Sequence, residues 1–313
     1  MQKAWFYEEH GPKEVLKFGD FPIPIPRHNQ LLVQVRAAAL NPFDCKMRQR
    51  AIVPIEFPVV PGCDMAGVVV SKGSGVSKFE IGDKVYGNIQ DSNVDETLKQ
   101  FRTLAEFIVV EENLEAASLP LAVQTAMEGF KTANFKEEQT VFIVVQLAKQ
   151  FYRASHVVAT TSTPKVEFVK NLGADKVVDY KKTRYEEVEE KFDLLHDTIG
   201  DTENSFVVAK DDAPIIDITW PPSNPKAIYS GLTIFGDTLE KLRQYLESGK
   251  LKAVIDPTGP YHFSDVIEAF RYLETGRARG KVVISPFPAQ YFPSPSCITQ
   301  NDATFQVVSQ VAY

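Results

Sequence analysis

The sequence predicts an α/β chain in two parts, an all-β unit followed by a doubly wound parallel sheet. Two observations carry this. Up to about residue 117, short apolar runs are punctuated by glycine and proline, and from Ser118 onward strand-like and helix-like segments alternate. The 313 residues are 44% hydrophobic and 24% charged, which suits about two domains of roughly 150 residues.

In the first part Leu31–Val35 is an apolar strand, and a second opens after Pro61-Gly62 and ends at Val68–Val70. Lys84–Tyr86 follows the turn Ile81-Gly82-Asp83, and Phe107–Val110 is a further strand. Gly11-Pro12, Pro22–Pro26, Pro58–Gly62 and Gly73–Gly75 supply the boundaries. Ser118–Phe135 then has a helical period, with Ser118 as N-cap and Leu121, Thr125 and Gly129 on one face. Thr140–Val145, His156–Thr160, Lys176–Asp179, Phe192–His196 and Ile215–Ile218 read as strands. Helices are expected at Pro164–Leu172, Arg184–Glu190, Asn204–Lys210 and Thr238–Ser248, two of them closed by Gly173 and Gly249. Strands alternating with helices imply a parallel sheet covered on both faces. Ser264–Thr275 is an amphipathic helix and Lys281–Ile284 a last strand. Residues beyond Pro286 lose all period and read as a disordered tail.

Composition narrows the function. The formal charge of −7, with no basic block, argues against a nucleic-acid or anionic-membrane partner. The longest apolar runs fall far short of the roughly 18 residues of a membrane span. Cys45, Cys63 and Cys297 are too few for a disulfide framework or a four-cysteine zinc lobe. Met1-Gln2-Lys3-Ala4-Trp5 shows no signal core or transit stretch, so a cytoplasmic location is expected, with a plastid role for relatives left open.

Several phrases occur together and in order: Ala39-Leu40-Asn41-Pro42-Phe43-Asp44, Pro61-Gly62-Cys63-Asp64-Met65-Ala66-Gly67, Gly82-Asp83-Lys84-Val85-Tyr86-Gly87, Leu172-Gly173-Ala174-Asp175 with Asp179-Tyr180, and Gly280-Lys281-Val282-Val283. With them the chain resembles the zinc-free quinone oxidoreductase branch of the medium-chain dehydrogenase/reductase superfamily, and is most similar to its plant enone oxidoreductases. The resemblance covers about residues 3–287. It implies a GroES-like β-barrel domain (1–117), a Rossmann-type dinucleotide-binding domain (118–255) and a segment returning to the first domain (256–287), before the tail at 288–313. It also implies pairing of two copies into a homodimer through nucleotide-domain edges.

One departure stands out. The family places a glycine-rich turn after the first strand of its nucleotide domain, where the pyrophosphate rests on backbone N–H groups. Here Thr140–Val145 runs straight into Gln146-Leu147-Ala148-Lys149, with no glycine between Gly129 and Gly173. Fewer than a dozen residues separate Val144 from His156, whereas a parallel crossover needs about a dozen or more. The first βαβ crossover is therefore contracted, by roughly ten residues against the family pattern, with a shortened helix or a frayed strand. A second contraction is expected at Glu112-Asn113-Leu114-Glu115.

The strand His156–Thr160 is followed by Thr161-Ser162-Thr163-Pro164-Lys165, which offers hydroxyls and a cation and no carboxylate, so a ribose 2′-phosphate is accommodated. By resemblance, Ser162, Lys165 and Tyr180 match positions that hold the NADPH phosphate, and Arg277 is a further candidate. The competing reading makes Ser162 a helix N-cap and Lys165 and Arg277 solvated charges. Metal-dependent relatives carry a His-Glu pair where Cys63-Asp64 stands, and no HExxH or CxxC spacing occurs, so no metal is expected. No GxSxG turn occurs either. The reaction implied is NADPH-dependent hydride transfer to the C=C bond of an α,β-unsaturated carbonyl, or to a quinone, as small-molecule substrate. Asn41 matches a residue lining the family's nicotinamide cleft, against a plain turn-forming role before Pro42. Lys46 is near enough to polarise a substrate oxygen, against a solvated lysine. Asp44 is expected to orient its neighbours and Asp64 to accept hydrogen bonds in its turn. The rival to an active reductase is a non-catalytic homologue disabled by the contraction.

Overall fold

The computed structural model of the chain describes residues 1–50, 55–89, 102–112, 121–142, 145–219, 222–230, 237–252 and 254–287. The elements run β1 (Gln2–Phe6), β2 (Lys17–Phe21), β3 (Gln30–Leu40), α1 (Pro42–Gln49), β4 (Asp64–Lys72), β5 (Lys84–Asn88) and β6 (Phe107–Glu111). After them come α2 (Leu121–Thr132), β7 (Thr140–Phe142), α3 (Val145–Gln150), β8 (His156–Thr161), α4 (Val166–Asn171), β9 (Lys176–Asp179) and β10 (Leu194–Asp197). The chain continues through α5 (Thr202–Val208), β11 (Ile215–Asp217), β12 (Ile228–Tyr229), α6 (Asp237–Glu247), α7 (Val266–Glu274) and β13 (Val282–Ile284). They fall into two units, the first built from residues 1–121 with the segment from 253 onward, the second chiefly from 122–233 and 241–252.

In the first unit β3 is the spine of an antiparallel sheet. β4 lies along one side of it, with β5 beyond, while its other side is shared between β6 at residues 30–34 and β13 at residues 38–40. Such sharing needs a strand apolar on both faces, and β3 is buried almost throughout. β1 and β2 form a separate antiparallel pair. The core joins Leu31, Val33, Val69 and Ile108 of the barrel to Phe270 and Ile284 of the returning segment. Trp5 Nε1 donates to the Phe263 carbonyl at 2.6 Å, tying the first strand to that segment. Gly62, at φ +100°, turns the chain into β4; a Cβ there would stand 2.2 Å from Thr103 Oγ1.

This unit is not all-β as expected. α1 starts on the expected Asn41-Pro42 phrase, with proline in the first turn, where its missing N–H costs nothing. Arg48 on α1 is fully buried. Its guanidinium donates to the Gly11 carbonyl, pairs with Glu274 of α7 and lies 5.4 Å from the Phe270 ring centroid.

The second unit holds six parallel strands in the order β9-β8-β7-β10-β11-β12. Succession reverses direction between β7 and β10, so the crevice beyond their carboxyl ends is the binding place of such sheets. Val141, Phe142, Val157 and Val158 are wholly buried, as a sheet covered on both faces requires. The contracted crossover is met at both ends. β7 keeps three residues and α3 six, and Val145, expected in the strand, opens the helix instead. The helix expected at Arg184–Glu190 is a single 3-10 turn at Tyr185–Glu187, because only Tyr185 and Val188 of that acidic run bury against the sheet. α2 packs closely on β10: a Cβ on Gly129 would stand 2.3 Å from His196 Nε2. Ser118, Cys297 and the tail at 288–313 lie outside the described residues.

Candidate functional site

The first unit encloses a polar cluster where β3 gives way to α1. Asn41, Asp64 and Lys281 are 0%, 1% and 6% exposed. Asp64 Oδ2 accepts from Asn41 Nδ2 at 2.8 Å and from Lys281 Nζ at 2.9 Å. Its Oδ1 accepts from Asn88 Nδ2 at 2.7 Å and from the Leu121 amide at 2.9 Å. Lys281 also donates to Asn41 Oδ1. The ion pair is thus buried with hydrogen bonds to spread its charge, the condition under which such pairs are tolerated. Asn41 is engaged at both ends of its carboxamide, which makes it the joint between β4, the returning segment and α1.

Asp44 completes this joint. Its Oδ2 accepts from the Asn41 amide at 2.7 Å, and its Oδ1 faces the Cys63 thiol at 3.4 Å. Burial pushes its carboxyl up to about 6 and the Cys63 thiol well above the ordinary thiol value. Lys46 lies exposed on α1. Cys45 and Cys63 are free and buried.

In the second unit the structure brings Ser162, Lys165 and Tyr180 to one edge. Thr161 and Asp179 are cross-strand partners, and the Tyr180 amide donates to the Thr161 carbonyl at 3.2 Å. The Lys165 amide donates to the Ser162 carbonyl at 2.8 Å. Tyr180 is 47% exposed, with Lys181 Nζ 5.3 Å from its ring centroid. One expectation is corrected here. A carboxylate does reach this edge, from β9 rather than β8: Asp179 Oδ2 accepts from Thr163 Oγ1 at 2.7 Å. That hydrogen bond holds the Asp179 carboxyl below the usual carboxylate range. Arg277 belongs to the first unit, on the exposed turn after α7, where its amide donates to Thr275 Oγ1.

The sheet fits a dinucleotide at β10 and at the β8–β9 edge better than at β7. Asp197, at the carboxyl end of β10, accepts the Ile199 and Gly200 amides on Oδ1, and its buried Oδ2 has no partner among the described residues. An unpartnered buried oxygen in the binding crevice suits a polar ligand group. The β7–α3 connection has no glycine, and Val145 and Gln146 in its first helical turn are buried. Gln146 is clamped to the main chain of Lys252, accepting its amide at 3.0 Å and donating to its carbonyl at 3.4 Å. A diphosphate therefore meets the buried side chains of Val145 and Gln146 at the start of α3, in place of a glycine cradle.

A zinc ion does not fit the Cys63-Asp64 position. Arg102 Nη1 stands 3.4 Å from Cys63 Sγ, and Asp64 is already met by four donors. Among the described residues no three His, Cys, Asp or Glu side chains are grouped to hold a metal. Two site residues escaped the sequence reading, Lys281 and Asn88. Lys281 had a signal, a lone cation heading the apolar run Val282–Ile284.

Residues 27–120 match the alcohol dehydrogenase GroES-like domain family, and residues 172–284 the zinc-binding dehydrogenase family. A 2-methylene-furan-3-one reductase of Solanum lycopersicum is 43% identical, over 91% of this chain and 79% of its own. A chloroplastic NADPH-dependent alkenal/one oxidoreductase of Arabidopsis thaliana is 41% identical, over 91% of this chain and 80% of its own. The quinone oxidoreductase of Coxiella burnetii superposes with a TM-score of 0.76 at 27% identity, over 91% of this chain and 99% of that one. Strand order, the buried Asn41 joint and these relatives agree: the chain belongs to the quinone and enone oxidoreductases of the medium-chain dehydrogenase/reductase superfamily, which work with a nicotinamide cofactor.

Proposed function

We propose that this chain reduces the C=C bond of α,β-unsaturated carbonyls, or quinones, with NADPH. The observation that carries the choice of NADPH is the gathering of Ser162, Lys165 and Tyr180 at the β8–β9 edge, a hydroxyl, an ammonium and a phenol suited to a 2′-phosphate. Reduced nicotinamide, when bound, supplies the hydride. Lys46 presents an ammonium to the carbonyl oxygen and stabilises the charge that develops there as the β-carbon is reduced. Asn41, Asp64 and Lys281 fix the start of α1, and so the direction in which Lys46 is offered. Water returns the final proton.

The test is NADPH titration by fluorescence, followed by NADPH consumption with an enone and identification of the saturated ketone. Saturable binding with turnover supports the reading; no binding by the intact chain leaves the disabled homologue. Lys46→Met is expected to lower kcat by about 10²-fold, the loss of one charge-stabilising group, with NADPH affinity unchanged. Among the described residues β12 is an edge strand with Ile228 and Tyr229 exposed, which supports pairing of two copies; sedimentation at several concentrations checks it.

A further inference from the structure

We propose that Asp179 sets the discrimination between a ribose 2′-phosphate and a free 2′-hydroxyl, and that Thr163 holds it in the phosphate-permitting position. This rests on the cofactor reading above and goes beyond it. In dinucleotide folds an acid at a strand's carboxyl end accepts from the ribose hydroxyls and repels a phosphate there. The end of β8 carries no such acid. The parallel register nevertheless sets Asp179 beside Thr161, one residue before Ser162. The chain thus places a carboxylate next to its own phosphate ligands, an arrangement that opposes phosphate binding unless the carboxylate is occupied.

It is occupied. Oδ2 accepts from Thr163 Oγ1 at 2.7 Å, Oδ1 accepts from the Lys181 amide at 3.0 Å, and Lys182 Nζ lies 3.8 Å from Oδ2. Of these, the Thr163 hydroxyl alone comes from the β8 side, the side of Ser162 and Lys165. Its hydrogen bond therefore spans the two loops that carry the phosphate ligands. Loss of that hydroxyl frees one carboxylate oxygen to accept from a 2′-hydroxyl and to repel a 2′-phosphate. Loss of the carboxylate removes both effects.

The experiment is calorimetric titration of the full chain with adenosine 2′,5′-bisphosphate and with adenosine 5′-monophosphate, which differ by the 2′-phosphate alone. The intact chain is expected to prefer the bisphosphate. Thr163→Val is expected to lower that preference by about twofold to fivefold, because a carboxylate that is charged in both forms is released to approach the phosphate, and to leave monophosphate binding equal or tighter. Asp179→Asn is expected to raise the preference, and the double variant T163V/D179N to regain at least that of the intact chain. A latch that only shaped the loops would make both single variants bind both nucleotides more weakly, with no recovery in the double; that result overturns the proposal. Unchanged preferences in both singles overturn it too, while the cofactor reading stands. If the intact chain binds neither nucleotide, the cofactor reading falls and this proposal with it. Thermal melts of each variant show that the fold is retained.

Discussion

Lys281 and Asp64 form a buried ion pair in the first unit, and much depends on its staying intact. Lys281→Met leaves the Asp64 carboxylate buried with neutral donors alone, and breaking such a pair costs roughly 3–5 kcal/mol. Denaturant unfolding is expected to show that loss, with K281M/D64N recovering part of it. Asp44 imposes a pH dependence of opposite sign to the common carboxylate case. Its native value of about 6, against 3.8, means the native state holds the proton longer than the unfolded chain. The contribution is fully present below 3.8 and is lost as pH rises through about 6, a change of roughly 3 kcal/mol. The stability of the intact chain relative to Asp44→Asn is therefore expected to fall between about pH 4 and about pH 7, read from unfolding curves across that range. His196 in the second unit behaves in the reverse way. Burial holds it down to about 4, so its contribution is present above 6.5 and is lost as pH falls toward the native value.

At the scale of elements, α2 approaches β10 closely at Gly129. Gly129→Ala drives a methyl group against His196 Nε2 and Ile216, and overpacking of this kind costs about 1–3 kcal/mol. A lowered melting temperature without loss of helix signal is the expected result. The β7–α3 connection makes the second element prediction. Replacing Val144–Gln146 by a glycine-rich turn of family length frees backbone N–H groups for the diphosphate, and NADPH is expected to bind at least about tenfold tighter by fluorescence titration. The contraction was legible in the sequence because a missing glycine turn and a short crossover are local facts. The alternation after Ser118 was legible for the same reason, since each β-strand is an apolar run closed by a turn. α1 was not, although Asn41-Pro42 is a helix start, because the surrounding segments all read as strands. β1, β2 and β12 carry too few alternating residues to stand out, and β12 has only two. The Lys281–Asp64 pair was beyond reach: 217 residues separate its members, and only the pairing of β13 with β3 brings them together.

For the whole molecule, the returning segment completes the first unit. Phe263, Val266, Phe270, Ile284 and Phe287 sit in its core, and Lys281 supplies the cation of its buried pair. A chain cut after Ile255 is expected to lose the cooperative unfolding of that unit and to become protease-sensitive within residues 1–121, while the second unit keeps its own transition. Differential scanning calorimetry with mass spectrometry of the fragments reads both. Among the described residues no helix is long and apolar enough to cross a membrane.

The dependence of Trp5 on Phe263 has a consequence for synthesis. A ribosome makes Trp5 258 residues before Phe263, and the strand that seals the barrel, β13, follows later still. The central sheet can finish while the barrel still waits, so the nascent polypeptide passes most of its translation with an open hydrophobic flank.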